Sequence, residues 1–419
     1  MSARDPRAQA PDRHRHSSSS RREKDPAGDA LRVLVLVLLA AGPLLAGAVH
    51  EPVFIPLLAG YGLAGFASWA RARAVPGAPP RAFFSELPGG RLLIALHLLV
   101  LFQLLPFPPA LLRLVSPGSF AFYNDRLLLP LTAWRPISVS PPDTLRGLAF
   151  LAAFSLLYAT VFREFGSRRW RRRLMFTVVG AGLAITVVAF VQAVSPNPRK
   201  IYGLWQPLYD WAVFGPYVNG SHFAGYAAMA AALATGAALG ALDRLREAWR
   251  SRRRHPWLAL GGREGNALVR WAAVVMVLVA GLLASGSRGG VAAFGLSALI
   301  LPFASGRRRT TAIVVVLLAA LGVAWIGLGG IVGAFEARGF KGSRLDLWAD
   351  MIPLFPDFPV FGVGLNAFST AFPPYQTVWP SEWIGEAHNE YLQVLLDLGV
   401  VGTLLVGSLF LLVFRAAKE

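Results

Sequence analysis

Residues 168–194 read RRWRRRLMFTVVGAGLAITVVAFVQAV, in which five arginines precede 21 residues that carry no charge. A helix needs about 20 apolar residues to cross a bilayer. Arginines beside such a run are typical of its cytoplasmic end. The stretch therefore predicts a membrane-spanning helix, and comparable apolar runs recur along the chain.

The composition agrees with a membrane protein and excludes other classes. Of the 419 residues, 55% are hydrophobic and 15% are charged, whereas soluble domains carry about 25% charged residues. The formal charge of +18 would suit nucleic acid. However, the basic residues lie between apolar spans and form no basic domain, so we expect membrane lipids as partners and no nucleic acid. The absence of cysteine excludes disulfides and thiolate metal sites.

The predicted fold is an all-α polytopic membrane protein of about ten transmembrane helices, with one long periplasmic loop that carries short helices. Residues 1–29 are predicted to form a disordered basic cytoplasmic tail, and residues 30–332 to hold spans one to nine. Residues 333–389 form the loop, and residues 390–419 hold the last span and a short basic end. The predicted spans are Leu31–Val49, Val53–Trp69, Leu92–Leu114, Leu145–Phe162, Leu174–Val194, His222–Leu242, Val269–Ala284, Val291–Phe303, Thr311–Ile331 and Tyr391–Phe414.

The basic residues alternate with the spans in a way that predicts one orientation. With the N-terminal tail in the cytoplasm, all the arginine clusters between spans fall on the cytoplasmic side. These clusters lie at 71–91, 163–173, 244–263 and 307–309. The opposite side then receives the connections at 50–52, 115–143, 195–221, 285–290 and 333–389.

The longest connection, residues 333–389, is predicted to be the functional element. A long loop inside a compact helical chain is usually functional. A short helix is predicted within it over Ser343–Leu354. Its aromatic residues give it enough apolar surface to fold back on other parts of the protein. They include Trp348, Phe355, Phe358, Phe361, Phe368, Phe372, Tyr375, Trp379 and Trp383.

Two arginines on the periplasmic side are candidates to bind phosphate. Arg288 lies in the turn SGSRGG (residues 285–290) between two apolar spans, and Arg344 begins the short helix, with Trp348 one turn on. A charge at that depth is costly unless it pairs or lines a cavity, and arginine offers fixed bidentate donors to phosphate oxygens. The alternatives are that Arg288 snorkels to lipid headgroups and that Arg344 pairs with a loop carboxylate such as Asp346 or Asp350.

Histidines lie at the start of two spans on the same side. His388 directly precedes the tenth span, where the positive field of the helix N-terminus lowers the pKa of a histidine and favours bound anions. His222 begins the sixth span shortly after Asn219. The alternatives are helix capping by Asn219 or Ser221 and an ordinary helix-entry role for His388. The spacing of histidines and acids predicts no metal site. Two arginines, a histidine and glycine-rich turns on one face together suit a diphosphate.

These residues resemble the O-antigen ligase and O-antigen polymerase-like family of membrane glycosyltransferases. The resemblance runs from Tyr217 to Val401 and depends on the order and spacing of four groups. They are VNGSHFAG at 218–225, SGSRGG at 285–290, Arg344 and Trp348 with Gly362, Gly364 and Phe368, and HNEYLQ at 388–393 with Gly399 and Gly402.

The resemblance implies a glycan donor on undecaprenyl diphosphate, used at the periplasmic face of the bacterial inner membrane without a metal or a cofactor. The implied acceptor is a lipid A core sugar, a growing polysaccharide or, in some members, a protein. By position, Arg288 and Arg344 would grip the diphosphate, and His388 would be the base on the acceptor hydroxyl or a diphosphate contact. Substrate-binding residues are expected to be Asn219, His222, Trp348, Gly362, Gly364, Asn389 and Glu390. Family members often continue through further spans or a soluble tail, whereas this sequence ends at Glu419.

Two other functions stay open from the sequence. A lipid-linked glycan flippase would also need arginines for diphosphate, but at mid-membrane depth on several spans rather than at one face. A structural or scaffolding membrane protein would leave the polar residues of the outer face without a purpose. Within the transferase class, ligase, polymerase and O-linked protein glycosylase are not distinguished, because acceptor choice depends on the variable outer loops.

Overall fold

The computed structural model describes residues 25–74, 84, 86–126, 132–207, 213–251, 256–304, 306 and 344–416. Helices dominate these ranges. They are α1 Pro26–Leu44, α2 Glu51–Arg73, α3 Gly90–Leu104, α4 Pro109–Val115, α5 Pro117–Arg126, α6 Pro141–Glu164, α7 Arg168–Ala193, α8 Gly220–Ser251, α9 Arg263–Ala284, α10 Arg288–Ala304, α11 Arg344–Met351, α12 Leu354–Asp357, α13 Phe368–Ala371 and α14 Glu390–Ala416. Three single-turn 3₁₀ helices occupy Ala46–Ala48, Pro256–Ala259 and Pro373–Tyr375.

Seven of the helices in the described ranges are long and apolar enough to cross a membrane, namely α1, α2, α6, α7, α8, α9 and α14. Two shorter apolar helices, α3 and α10, lie where the third and eighth spans were predicted. The predicted ninth span, Thr311–Ile331, lies outside the described residues. The all-α polytopic membrane fold is therefore confirmed, and the count of ten spans stays a prediction.

Several predicted boundaries differ from the helix ends, and two of them have a clear local cause. The third span does not run unbroken to Leu114, because α3 ends at Leu104 and Pro106 and Pro108 interrupt the helix before α4 begins. The first helix begins at Pro26, inside the predicted disordered tail. Its start is fixed by Asp25, whose carboxylate accepts a hydrogen bond of 2.9 Å from the amide of Gly28. Residues 1–24 lie outside the described part of the chain.

One end of the bundle gathers the connections that the sequence places on a single side. We call this end the site face. The Tyr202 hydroxyl donates to the carbonyl of Leu44 at the end of α1. The hydroxyl of Ser287, before α10, lies 3.5 Å from that of Ser221 at the start of α8. The predicted alternation of loops is thus consistent with the packing of the helix ends.

The opposite end of the bundle, the basic face, carries arginines and their few acidic partners. Arg32 near the start of α1 lies 3.1 Å from a carboxylate oxygen of Glu164 at the end of α6 and also donates to its carbonyl, at 2.9 Å. Arg71, near the end of α2, lies 3.8 Å from the other oxygen of the same carboxylate. These ion pairs hold three helix ends together.

Small residues allow the central helices to approach closely. Ala224, Ala227, Ala231 and Ala234 of α8 recur every three or four residues and are buried, which is the spacing of one helix face. On α9, a Cβ added at Gly281 would lie only 2.6 Å from the side chain of Thr186 in α7. The tight packing of α7, α8 and α9 fixes where the α9–α10 turn meets the start of α8.

The described part of the predicted loop, residues 344–389, folds around its own apolar core. Leu347, Met351, Leu354, Phe368 and Phe372 are buried within that core. The short helix predicted over Ser343–Leu354 is confirmed in position but ends at Met351, shortly before Pro353. The loop is a small helical cap on the site face, formed by α11, α12 and α13.

Candidate active site

Hydrogen bonds to both neighbours of His388, Ala387 and Asn389, fix the turn that carries this histidine. The carbonyl of Ala387 accepts a hydrogen bond of 2.8 Å from the indole N–H of Trp348, and the Ala387 amide donates to Gln393 Oε1 at 2.7 Å. The Asn389 side chain accepts from the amide of Tyr391 at 3.1 Å and so caps α14. His388 itself has a φ of +52°, a conformation that costs a non-glycine residue about 1–2 kcal/mol. The protein therefore fixes this histidine in one strained orientation.

The surroundings of His388 favour the neutral imidazole. Neighbouring protein atoms that displace water lower the pKa of His388. The positive charge of Arg344 lowers it further, Glu386 opposes this shift, and His222 adds a weaker lowering effect. The side chain of His388 is nevertheless exposed at the surface. An accessible neutral imidazole can accept a proton from a bound hydroxyl group.

The electrostatic effects of Arg344 and His222 on His388 indicate that three predicted site residues from distant parts of the chain lie near one another. Arg344 comes from α11, His222 from the first turn of α8, and His388 from the turn before α14. Arg288 belongs to the same region, because the preceding Ser287 contacts Ser221, which precedes His222. The prediction that these residues share one face therefore agrees with the structure.

Both arginines are available to bind an anion. Arg288 and Arg344 are exposed, and neither forms a salt bridge with any residue of the described ranges. The predicted alternative partner Asp350 is occupied elsewhere. Its carboxylate accepts 2.7 Å hydrogen bonds from the hydroxyl and amide of Thr377 and from the amide of Val378. These bonds fasten α11 to the rest of the cap and so fix the positions of Arg344 and Trp348.

Several predicted substrate-binding residues have structural roles. Trp348 holds the Ala387 carbonyl, and Asn389 caps α14. Asn219 accepts a hydrogen bond of 2.8 Å from the amide of Ser221, as the capping alternative predicts. His222 and Glu390 are exposed at the starts of their helices. Substrate contact by any of these residues stays a prediction.

Gly362 and Gly364 also have a packing role. Both have positive φ, +69° and +109°. A Cβ at Gly362 would lie 2.4 Å from the backbone of Asp397, and one at Gly364 would lie 2.6 Å from the hydroxyl of Ser138. Only glycine fits where backbones approach this closely. This close packing is enough to explain why glycine occupies both positions. The predicted contact of Gly362 and Gly364 with substrate stays a prediction.

The backbone around Gly362 crosses a break in α14. Within that helix Gly399 has a φ of +64°, and its Cβ position lies 2.3 Å from the Val360 carbonyl oxygen. Asp397, only 4% exposed, accepts hydrogen bonds from the amides of Asn366 at 2.9 Å and Phe368 at 3.2 Å. The last span and the cap are therefore one interlocked unit.

Two residues of this crossing are not among the predicted site residues. Gln103 of α3 is fully buried and donates to the carbonyls of Phe361 at 2.6 Å and Asp397 at 2.9 Å. Its side-chain oxygen accepts from the amide of Leu365 at 3.1 Å. A polar residue inside an apolar run is expensive and usually has a partner. A single Gln or Asp within a predicted span is therefore a signal that could have identified both Gln103 and Asp397 from the sequence.

Within the described residues, no group of three or more histidines and carboxylates is placed to hold a metal ion. The predicted absence of a metal requirement stays a prediction. The candidate site thus consists of a strained accessible histidine, a second histidine and two arginines that form no salt bridge within the described ranges, all on the site face.

Comparisons with known proteins bear on this part of the chain. Residues 271–407 match a family model described as O-Antigen ligase. The matched segment contains Arg288, Arg344 and His388, whereas Asn219 and His222 precede it. No curated protein and no solved structure matches the chain. The resemblance that the sequence motifs predict is confirmed over this segment.

Proposed function

Because residues 271–407 match the family model described as O-Antigen ligase, we propose that this chain is a membrane glycosyltransferase that transfers a glycan from undecaprenyl diphosphate to an acceptor hydroxyl. The acceptor would be a lipid A core sugar or a growing polysaccharide. The reaction would take place at the periplasmic face of the bacterial inner membrane. The observation that supports this most directly is the grouping of His388 with Arg344 and His222.

In the proposed reaction the acceptor oxygen attacks the anomeric carbon of the donor sugar. A bond forms between these atoms, and the bond from the anomeric carbon to the diphosphate oxygen breaks. The electron pair leaves with the diphosphate, and the hydroxyl proton passes to the imidazole of His388. A base must be unprotonated to accept that proton, which is consistent with the lowered pKa of His388.

The two arginines would neutralise the leaving group. Charge develops on the diphosphate oxygen as its bond to the sugar breaks, and donors placed at that oxygen lower the barrier. The exposed guanidinium groups of Arg288 and Arg344, which form no salt bridge with a residue of the described ranges, would bind it bidentately. In this arrangement the chain's own side chains supply the base and the charge compensation, and no metal is required.

The proposed orientation follows from the distribution of arginines. The basic face holds the clusters before α7 and after α8, which the positive-inside rule assigns to the cytoplasm. The site face is then periplasmic. Throughout the described ranges the arginines also lie within about two turns of a helix end or in loops. This favours a transferase over a flippase, which would need arginines at mid-membrane depth.

The proposal is tested with purified protein in liposomes that contain a lipid-linked glycan donor. Separate reactions supply a core oligosaccharide, a glycan chain or a serine-containing peptide, and both transfer and donor translocation are measured. Transfer to one of the two saccharides is expected. Transfer to the peptide alone would identify a protein glycosylase instead. Translocation without transfer to any acceptor would contradict the transferase assignment.

The same assay tests the diphosphate contacts. Lysine lacks the planar fork of arginine, so Arg288→Lys and Arg344→Lys are each expected to lower the transfer rate by about 10²–10³-fold. The matched control is Arg146→Lys, which changes a half-exposed arginine in surface ion pairs of 3.5 Å and 3.8 Å. Its effect is expected to stay within about twofold. Equal, small effects of all three substitutions would remove the two arginines from the mechanism.

A further inference from the structure

A large cavity lies on the basic face, at the opposite end of the bundle from His388. It has a volume of about 1540 Å³ and lies between the start of α7, the end of α8 and the start of α9. None of its lining residues belongs to the candidate active site, and those from α7 end at Leu183, ten residues before that helix ends at Ala193. The cavity is therefore separate from the candidate active site.

Arginines from three helices surround this cavity. Seven line it, together with one carboxylate from Glu264, so its formal charge is +6. None of the seven forms an ion pair with a residue in the described part of the chain. They are Arg168, Arg169, Arg172, Arg173, Arg244, Arg263 and Arg270. Like charges brought this close repel one another, and a bound polyanion would remove that repulsion.

The inner wall of the cavity is apolar. Phe176 of α7 stacks on Trp271 of α9, with ring centroids 5.7 Å apart and planes at 15°. The guanidinium of Arg172 lies over the Phe176 ring, 5.2 Å from its centroid. Gly180 and Gly236 face open space, since a Cβ added at either would contact nothing within 4 Å. The cavity thus combines a cationic rim with an apolar interior.

We infer that this cavity binds an anionic phospholipid that carries more than one phosphate. The positive-inside rule explains why arginines lie on this face. It does not explain why seven of them, from three helices, surround one cavity whose lining holds a single carboxylate, that of Glu264. Basic pockets between transmembrane helices bind lipid headgroups with several phosphates in this way. The arginines would bind the phosphates, and the acyl chains would lie along Phe176 and Trp271.

The size and the lining of the cavity favour a lipid over a soluble anion. Pockets for small molecules measure about 300–1,000 Å³, and this one is larger. A free phosphate or diphosphate would use the rim and leave the apolar wall bare. A lipid with two or more phosphates neutralises more of the seven arginines than a lipid with one phosphate does.

The test is a lipid titration of the full-length protein in detergent, followed by native mass spectrometry. The probes are cardiolipin, which has two phosphates, phosphatidylglycerol, which has one, and inorganic pyrophosphate, which has no chains. Cardiolipin is expected to bind most tightly, and excess pyrophosphate is expected not to displace it. Equal binding of the two lipids, or displacement by pyrophosphate, would overturn the inference.

Paired variants locate the binding site. Arg172→Gln with Arg244→Gln removes two cavity charges from α7 and α8. Arg171→Gln with Arg250→Gln removes two exposed charges from the same helices, outside the cavity. The cavity pair is expected to weaken cardiolipin binding by about 30-fold, which corresponds to about 2 kcal/mol. The control pair is expected to change it by less than about threefold. Equal weakening by the two pairs would show general surface attraction only and would overturn the inference.

A third variant keeps every charge and fills the space instead. Gly236→Leu places a side chain into the cavity from the middle of α8, where leucine is also a better helix former than glycine. Gly62→Leu, at an unobstructed position in α2, is its control. Loss of cardiolipin binding in Gly236→Leu alone supports the cavity. Unchanged cardiolipin binding by Gly236→Leu would overturn the inference, even if the Arg172→Gln, Arg244→Gln double variant proves unstable.

Discussion

Two hydrogen bonds to Ala387, the residue before His388, predict a specific loss of catalytic rate when they are removed. Trp348→Phe deletes the 2.8 Å bond to the Ala387 carbonyl but keeps an aromatic ring in the cap. Gln393→Leu deletes the 2.7 Å bond from the Ala387 amide. Both bonds hold the residue just before His388, so the two substitutions act on the same turn.

The magnitude follows from comparing these bonds with the strain they offset. The positive φ of His388 costs about 1–2 kcal/mol, and each hydrogen bond contributes about 1 kcal/mol. Loss of one bond is expected to slow transfer by about fivefold. Loss of both, in Trp348→Phe with Gln393→Leu, is expected to slow it by about 30-fold, because the turn can then relax. Donor affinity is expected to stay near normal, since the arginines are unchanged.

The assay measures kcat for glycan transfer and, separately, the Kd for the lipid-linked donor. The matched control is Trp383→Phe, in the same cap. That indole is 71% exposed and makes no hydrogen bond with a described residue. Equal rates for Trp348→Phe and Trp383→Phe would refute the reasoning. So would a loss that appears only in donor affinity.

Two further predictions concern the packing of α14 and the charge near His388. Gly399→Ala is expected to lower the free energy of unfolding by at least about 2 kcal/mol, because its Cβ would lie 2.3 Å from the Val360 oxygen at a positive φ. The control is Gly407→Ala in the same helix, where the added Cβ would have no atom within 4 Å, so this variant is expected to be neutral or stabilising in the same detergent-based unfolding assay. Similar stability of the two variants would contradict the close backbone contact between Gly399 and Val360. Glu386→Gln removes the charge that raises the pKa of His388, so the acid limb of the pH–rate profile is expected to move to lower pH. A shift of the acid limb to higher pH would contradict the effect of Glu386 on the pKa of His388.

The helices of this protein, and which of its loops share one end of the bundle, could be predicted from its sequence because both depend on local signals. Runs of about 20 apolar residues specify spans, and arginine clusters specify which loops share a side. Even the break after Leu104 had a local signal in Pro106 and Pro108. The candidate residues Arg288, Arg344 and His388 could be selected because charge in an apolar setting is unusual.

The crossing at α14 could not be predicted from such patterns. Gln103 and Asp397 are 294 residues apart in the chain, yet they share a 2.9 Å hydrogen bond. Periodicity describes neighbours along one helix and carries no information about such pairs. The same limit applies to Gly362 and Gly399, whose positive φ values reflect backbone contacts between distant segments. The cavity on the basic face could not be predicted for a related reason. Arginine clusters predict on which side of the membrane a loop lies, but not how the helices pack around a cavity.

The central claim is that His388 accepts the acceptor's proton while the arginines hold the donor. It is tested most directly by measuring glycan transfer and donor binding in parallel for wild type, His388→Ala and His388→Gln. The account predicts that both substitutions lower transfer by about 10²–10⁴-fold, the usual contribution of a general base, with donor binding largely retained. Transfer at the wild-type rate by either variant would contradict the role of His388 as the base.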